Sequence, residues 1–274
     1  MPGGYPLSPE YANGVSVGAV TASSTGTTLT SNSSANTPGA WAQLIAKTTY
    51  DAVGFVAFYW PTNNSGSNQA FDIGVGSAGN EKILVPTVAL FTNTGNGVSK
   101  SAFIPIPIPA GTRVSGRVQD TNVGSESSWL NLILYDAGFV AVEGFAGVEC
   151  VGYNSGTTLG TTVTGSGSTN TKGSYAQLTA ATQHDWAGFF YIFSQLPTTT
   201  GTGNEVLFDI AIGSGGNEVV IVPNGTSYIS GTNPIFDISP ILWIPIPAGT
   251  RISARLQSTV ASLVGSCTVY GIYL

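Results

Sequence analysis

Charged side chains are scarce in this chain of 274 residues. Only 8% of the residues are Asp, Glu, Lys or Arg, whereas about a quarter are charged in an average soluble domain. The 8 basic residues are outnumbered by 14 acidic residues, and the net charge is −6. The sequence contains no basic cluster that could follow a phosphate backbone, so we expect no nucleic-acid partner.

Cysteine and histidine are almost absent as well. Cys150 and Cys267 are too few for a disulfide framework, and we expect two buried free thiols, with a bridge between neighbouring strands as the alternative. The single histidine, His184, precedes Asp185, and adjacent residues of a strand point to opposite faces, which does not suit a catalytic triad. No spacing of Cys and His matches a zinc site. The sequence therefore predicts no catalytic, metal or cofactor site, and a protein that is not an enzyme.

Long apolar runs are also missing. No uninterrupted stretch approaches the roughly 20 residues of a membrane-spanning helix, so we expect no membrane insertion. The first residues, MPGGYPLSPEYANG, show neither the basic region nor the apolar region of a secretory signal, and we expect no signal peptide. Polarity comes instead from Gly, Ser, Thr and Asn, which suit strands joined by tight turns.

The chain contains an internal duplication. The stretch IPIPAGTRVSGRVQDT at Ile106–Thr121 recurs as IPIPAGTRISARLQST at Ile244–Thr259, with twelve of sixteen positions identical. Further upstream, Phe71–Pro86 matches Phe208–Pro223 at ten of sixteen positions. The offset between equivalent residues grows only from 134 to 138 along the repeat, so the two copies differ mainly in loop length.

Apolar and polar residues alternate within each copy, as they do in half-buried strands. Val114 and Val118, for example, alternate with Arg113, Ser115 and Arg117. Clusters of turn residues recur at sandwich-like spacing, and no stretch of ten residues has a helical period. We predict an all-β protein of two tandem antiparallel β-sandwiches, each jelly-roll-like with about eight or nine strands. The predicted units are an N-terminal extended arm at residues 1–13, a first copy at 14–139 and a second copy at 140–274.

Proline alternates with isoleucine before and within the repeated stretch. Residues i and i+2 of a strand direct their N–H groups to the same neighbour. Pro105, Pro107 and Pro109 therefore remove three donors from one side, as Pro245 and Pro247 remove two in the second copy. Such a segment fits only at the edge of a sheet. We predict that the proline sides of Pro107 and Pro245 lack a neighbouring strand.

All four arginines belong to the repeated stretch, and three acidic residues also recur in both copies. We interpret this set as a framework of Arg–carboxylate bridges that fixes strand register, with an anion or acidic-sugar site on the arginine face as the alternative. We predict that Arg117 and Arg255 each contact a carboxylate of their own copy. The framework residues are Asp51, Asp72, Glu81, Arg113 and Arg117 in the first copy and Asp185, Asp209, Glu218, Arg251 and Arg255 in the second.

Two further patterns leave alternatives open. Of the five tryptophans, only Trp41 has an aromatic counterpart, Tyr175. This pair is a candidate platform for stacking a sugar or a partner, although burial explains it equally well. The GSAGNE and GSGGNE turns, together with Asp72 and Asp209, could bind Ca²⁺, but a hairpin turn that needs Gly and Asn is the preferred interpretation.

Tandem Gly/Ser/Thr-rich β domains with IPIPAGTR(V/I)SxR(V/L)Q strands resemble virion structural proteins of tailed bacteriophages and phage-like particles. This class includes head-decoration, spike, fibre and tail-accessory proteins. The resemblance implies a non-enzymatic virion protein that is assembled in the host cytoplasm and acts through contacts with capsid or tail proteins. It implies no site residue, because no catalytic motif defines the class.

The alternative function is a carbohydrate-binding module that attaches a particle to host surface glycans, since jelly rolls serve both purposes. An enzyme such as a glycan depolymerase, with a carboxylate pair such as Asp72 and Glu81, is the weakest hypothesis. A chain with so little charge should also leave apolar surface for partners. We therefore expect a homo-oligomer, and first a homotrimer, because three chains would give a ring of six similar sandwiches.

Overall fold

The computed structural model describes residues 14–18, 26–61, 68–91, 99–101, 103–136, 145–154, 160–195, 204–229 and 236–274. The arm predicted at residues 1–13 and the junction predicted between residues 139 and 140 lie outside these ranges. Every regular element in the described ranges is a β-strand, as the two-residue periodicity predicts. No helix that could cross a membrane is found among them.

The first copy forms two antiparallel sheets from nine described strands. Sheet 1A has the order β1-β9-β4-β7, with β2 also paired to β9, and sheet 1B has the order β3-β8-β5-β6. The strands are β1 (Gly14–Val17), β2 (Thr27–Thr30), β3 (Ala42–Ile45), β4 (Ala52–Pro61), β5 (Asn68–Val75), β6 (Lys82–Phe91), β7 (Ser99–Lys100), β8 (Val114–Asp120) and β9 (Ser127–Asp136).

The second copy repeats this arrangement. Sheet 2A has the order β10-β18-β13-β16, with β11 also paired to β18, and sheet 2B has the order β12-β17-β14-β15. The strands are β10 (Gly147–Val151), β11 (Thr161–Thr164), β12 (Ala176–Thr179), β13 (Trp186–Gln195), β14 (Asn204–Ile212), β15 (Val219–Ile229), β16 (Phe236–Ile238), β17 (Ile252–Ser258) and β18 (Val264–Tyr273).

The strand pairings of each copy are nested, which identifies the topology. In the first copy β2 pairs with β9, β3 with β8, β4 with β7 and β5 with β6, all antiparallel. The second copy repeats the set with β11 and β18, β12 and β17, β13 and β16, and β14 and β15. A long hairpin that rolls over so that successive pairs alternate between two sheets gives this pattern, which is that of a jelly roll.

The two-residue alternation places the apolar core between the sheets of each copy. Leu130, Leu132 and Leu134 of β9 are buried, while the residues between them are partly exposed. Phe71 of sheet 1B stacks on Tyr59 of sheet 1A with ring centroids 5.1 Å apart. Because successive side chains of a strand point to opposite faces, each sheet keeps a second face outside its own sandwich.

The isoleucine–proline stretch lies at the edge of its sheet, as predicted. Ile104 and Ile108 form isolated bridges to Phe55 and Ala52 of β4, and within the described residues the stretch pairs with no strand on its proline side. It is not a continuous strand, however, because the N–H of Ile106 donates to the carbonyl of Ile104 at 3.0 Å. The second copy has the same bridges, to Trp186 and Phe189. The prolines without N–H groups leave only alternate residues able to pair.

The two copies pack directly against each other. The apolar cluster of the first copy continues into side chains of sheet 2A and of the segment before it. The Tyr270 hydroxyl donates to the Thr87 carbonyl at 2.8 Å, and Gln119 hydrogen-bonds the Tyr153 hydroxyl. The contributed side chains are Phe145, Val148, Phe190, Ile192, Tyr270 and Ile272.

Both cysteines are free thiols, as expected from their number. Cys267 is buried in the core of the second copy, whereas Cys150 is only partly buried, beside the packed face of sheet 2A. Burial raises the pKa of each thiol to about 12. Thiols that remain protonated are poor nucleophiles.

A buried polar network distinguishes the first copy from the second. The Tyr59 hydroxyl contacts Ser128 Oγ at 2.7 Å and also contacts the Gln69 side chain, whose Nε2 donates to Asp120 Oδ2 at 2.7 Å. All four side chains are buried. At the equivalent positions the second copy has Phe193, Gly265, Val206 and Ser258.

We predict that Tyr59→Phe lowers the free energy of unfolding by about 1–3 kcal/mol, because buried partners lose a hydrogen bond without gaining water. Chemical denaturation followed by fluorescence measures the change. The triple variant Tyr59→Phe/Gln69→Val/Asp120→Ser, which reproduces residues of the second copy, should recover part of the loss. Unchanged stability of Tyr59→Phe would contradict the role of the network.

Candidate functional site

The arginines of the first copy bind carboxylates of the same copy. Arg117 lies directly opposite Asp72 in the register of β8 and β5, and its Nε is 2.7 Å from Asp72 Oδ2. Arg113 Nη1 is 2.7 Å from Glu81 Oε1 and also donates to the carbonyl of Gly76. Both pairs are mostly shielded from solvent. The sequence places these residues together because Arg113 and Arg117 share a face of one strand.

The second copy repeats these bridges and adds a cation. Arg255 Nε is 2.8 Å from Asp209 Oδ2, and Arg251 Nη1 is 3.1 Å from Glu218 Oε1. Lys172 Nζ also lies 2.8 Å from Asp209 Oδ1. The residue equivalent to Lys172 in the first copy is Pro38. Asp209 therefore contacts two cations, whereas Asp72 contacts one among the described residues.

The same two carboxylates also hold an irregular point of the neighbouring strand. Asp72 Oδ1 accepts the N–H of Thr87 at 2.7 Å, and Asp209 Oδ1 accepts the N–H of Asn224 at 2.9 Å. Thr87 and Asn224 have φ angles of 45° and 51°, and the register of β6 and β15 shifts nearby. A bulge that needs a positive φ is stabilised when a side chain accepts its freed N–H.

Burial raises the pKa of Asp209, but the hydrogen bond from the backbone of Asn224 and those from Lys172 and Arg255 outweigh burial. The pKa of this carboxyl therefore lies below its usual range. The ionised form is the one that binds both cations, so Asp209 keeps its charge at neutral pH.

Asp51 and Asp185 depart from the predicted arrangement, since they contact no arginine among the described residues. Asp51 Oδ1 accepts the N–H of Ala110 at 2.7 Å, and Asp185 Oδ1 accepts the N–H of Ala248 at 2.7 Å. They hold the corner that follows the prolines, where Gly111 has a φ of 78°. Each acid directly precedes β4 or β13 and so lies beside the proline stretch. The arginines lie at β8 and β17, away from it.

A framework arginine lies over one face of each candidate stacking ring. The guanidinium carbons of Arg117 and Arg255 lie 4.5 Å from the ring centroids of Trp41 and Tyr175. Such cation–π contacts restrain both partners. Trp41 also needs a glycine beneath it, because a Cβ at Gly74 would lie 2.8 Å from Trp41 Cη2. The second copy combines the smaller Tyr175 with Ala211 at that position.

An open cleft of about 560 Å³ lies beside Tyr175. It offers hydroxyl groups and one ammonium group for hydrogen bonds and one aromatic ring for stacking. The first copy lacks several of these groups, since Pro38 and Ala40 occupy the positions of Lys172 and Ser174. The polar and aromatic lining residues are Thr162, Thr164, Ser166, Lys172, Ser174 and Tyr175.

His184 has a structural environment that the sequence did not reveal. Its imidazole stacks on Tyr273 with ring centroids 3.9 Å apart, and its Nδ1 lies 3.3 Å from Glu149 Oε2. Glu149 also accepts the Trp186 Nε1–H at 2.8 Å and the backbone N–H of Gln183 at 2.8 Å. One sequence feature could have revealed this contact. The first copy has Val15 and Ala52 at the positions where the second copy has Glu149 and Trp186, so both partners of the hydrogen bond differ between the copies.

The described residues include no group of three or more His, Cys, Asp or Glu side chains arranged to hold a metal ion. The GSAGNE turn joins β5 to β6 as a hairpin in which Gly76 and Gly79 have positive φ angles. Glu81 Oε2 accepts the N–H of Gly79 within this turn. The carboxylate is thus directed to its own turn and to Arg113.

Tryptophans without counterparts lie at surfaces as well as in the core. Trp60 and Trp129 meet edge to face, 6.2 Å apart, on the outer face of sheet 1A. Trp243 is 53% exposed and stacks on Phe145. Trp186 is buried. The two copies therefore present different aromatic surfaces on the same scaffold.

Comparison with known proteins adds little to this geometry. No protein-family model matches the sequence, and no curated protein matches it. Among solved structures, the chain is similar to the N-terminal CBM22-1-CBM22-2 tandem domain from Paenibacillus barcinonensis Xyn10C. The TM-score is 0.29 and the identity 8%, over 97% of this chain and 94% of that chain. A likeness of this size assigns no function.

We predict that Arg117→Met destabilises the protein more than Arg255→Met does. Each change removes a partner of a buried carboxylate, at a cost of about 1–4 kcal/mol, but Lys172 still neutralises Asp209 in the second variant. Thermal and chemical unfolding of the two variants give the comparison. Adding Pro38→Lys to Arg117→Met should restore part of the loss, and an equal or larger cost for Arg255→Met would contradict the role of Lys172.

Proposed function

We propose that the protein is a non-enzymatic structural component of a bacteriophage virion, as a head-decoration, spike, fibre or tail-accessory protein. It acts through protein–protein contacts with capsid or tail proteins and is assembled in the host cytoplasm. The resemblance of the tandem IPIPAGTR-containing domains to this class supports the assignment to a virion. The duplicated sandwich gives the chain two similar sets of surfaces for contact with other proteins.

The observation that carries the proposal is the way in which charge and apolar surface are distributed. The recurring carboxylates and arginines already have hydrogen-bond partners within their own copy. The outer face of sheet 1A carries apolar and aromatic side chains that are only partly buried, among them Val56, Phe58, Trp60 and Trp129. Contiguous apolar surface of this kind marks sites of protein–protein contact.

A homotrimer is the assembly that we propose for this role. Three chains, each with two similar sandwiches, give a ring of six nearly equivalent domains. Such a ring fits the symmetric surface of a particle. Closed cyclic symmetry is also the usual solution for a protein that associates with itself.

Glycan binding is a second candidate function, and the cleft beside Tyr175 favours it. The ring, the surrounding hydroxyl groups and Lys172 could hold a sugar at one site per chain. In this role the protein would attach a particle to host surface glycans. Because this cleft lies in the second copy, one stacking ring, that of Tyr175, would be sufficient for binding.

We predict that the purified protein rebinds particles that have been depleted of it. Co-sedimentation of labelled protein with depleted and with complete particles measures this. Binding should saturate on depleted particles and be absent on complete ones, because complete particles have their positions filled. Protein that has been denatured, and whose circular dichroism spectrum no longer shows β-structure, is the negative control. Failure of the folded protein to bind depleted particles would contradict the virion role.

For the second candidate, we predict that glycan-array binding falls about tenfold in Tyr175→Ala, because stacking on an aromatic ring contributes about 1.4 kcal/mol. Tyr175→Phe keeps the ring and should retain binding. Trp41→Ala is the matched control in the other copy. Array binding that survives Tyr175→Ala would exclude this cleft, and no binding to any glycan would exclude the function.

A further inference from the structure

The contact between the two copies uses one surface from each. The second copy contributes the outer face of sheet 2A, which we call the docking face. Its side chains Phe190, Ile192, Tyr270 and Ile272 are 1%, 3%, 0% and 0% exposed. They join the apolar cluster of the first copy. These side chains point away from their own sandwich, and yet they are buried as completely as the core residues of either copy.

The first copy contributes the side of its sandwich that includes β6, which we call the receiving surface. The Thr87 carbonyl accepts the Tyr270 hydroxyl at 2.8 Å. Pro86 and Thr87 line a cleft together with β10. Gln119 hydrogen-bonds Tyr153, which packs on Ala70. The receiving surface therefore combines apolar contacts with a few polar partners at fixed positions, as protein interfaces do.

Because the copies are equivalent, each chain has a second docking face, on the first copy. The residues equivalent to the four buried ones are Val56, Phe58, Ile133 and Tyr135 of sheet 1A. All four remain apolar or aromatic, and all four are partly exposed. Trp60 and Trp129 extend this face where the second copy has Ser194 and Ser266.

Each chain likewise has a second receiving surface, on the second copy. At the positions of Thr87 and Gln119, the second copy has Asn224 and Gln257. Leu84 and Ile106 belong to the apolar cluster that includes the docking face, and the second copy has Ile221 and Ile244 at their positions. Each of these four is more exposed than its counterpart. Gln257 lines an open cleft of about 410 Å³ where Gln119 binds Tyr153. Val219 on the same strand as Ile221 is 62% exposed.

We propose that chains associate head to tail, with the docking face on the first copy of one chain covering the receiving surface on the second copy of the next. The occupant of each second surface is another copy of this chain, because the intrachain contact already joins the same two surfaces at equivalent positions. The contact is heterologous, so it forms a closed ring when the rotation closes and a filament when it does not. The proposed trimer is one such ring.

The residue exchanges remove one polar contact from the second pair of surfaces and add aromatic area to it. The pair Tyr270 and Thr87, which forms the intrachain hydrogen bond, is replaced by Ile133 and Asn224. Trp60 and Trp129 add aromatic area, and aromatic residues dominate the energy of association between proteins. An interface without a covalent linker must offset the lost translational freedom, and these tryptophans provide additional apolar area for it.

The inference rests on the surfaces of the chain and not on the virion role. Its test is the mass of the wild type and of two variants, Ile133→Asp on the second docking face and Ile221→Asp on the second receiving surface. Light scattering after size exclusion should show a wild-type assembly larger than one chain and two monomeric variants. Val123→Asp, at an 80% exposed apolar position outside both surfaces, is the matched control and should assemble like the wild type.

Mixing the two variants separates this contact from other ways of associating. Each variant keeps the surface that the other lacks, so the mixture should form complexes of two chains and no larger species. Association on mixing also shows that both variants are folded. A wild type that stays monomeric well above micromolar concentration would overturn the proposal. So would variants that keep circular dichroism spectra like the wild type but form no complex when mixed.

Discussion

The carboxylate of Asp72, with its equivalent Asp209, is the group on which the rest of each copy depends. One oxygen binds the arginine directly opposite on the neighbouring strand, and the other accepts the N–H of Thr87 at the bulge of the next strand. A single carboxylate side chain thus fixes three adjacent strands of one sheet. Charge-assisted hydrogen bonds of this kind are short and directional, so a slip in register would leave the charge buried without its partner.

This carboxylate also connects the framework to the contact between the copies. The N–H of Thr87 is held by Asp72, while the Thr87 carbonyl accepts the Tyr270 hydroxyl from the second copy. The bulge is therefore part of the receiving surface. In the second copy Asp209 holds Asn224 in the same way, but Asn224 is exposed. The framework therefore holds an equivalent bulge in each copy, and among the described residues of one chain only the bulge of the first copy contacts the other copy.

Asymmetry between the copies lies outside the framework. Phe193 and Val206 replace Tyr59 and Gln69 of the polar network, and Glu149 with Trp186 replaces Val15 with Ala52. These exchanges preserve the strand positions while they change buried polarity. The candidate sites follow the same rule, because the residues lining the cleft beside Tyr175 and the tryptophans around Trp129 differ between the copies. A duplicated scaffold can acquire separate surfaces in this way without a change of fold.

The sequence by itself determined the strands, the duplication, the edge position of the proline stretch and the pairing of Arg117 and Arg255 with carboxylates. These features follow from local rules, since a period of two, a missing N–H and a scarce charge each constrain a residue wherever it lies. Only the tertiary structure decided that Asp51 holds the corner at Ala110, that Glu149 binds Trp186, and that Phe190 and Tyr270 are buried against the first copy. These depend on which outer faces meet, and the apolar alternation of a strand is the same whether its second face is covered or exposed.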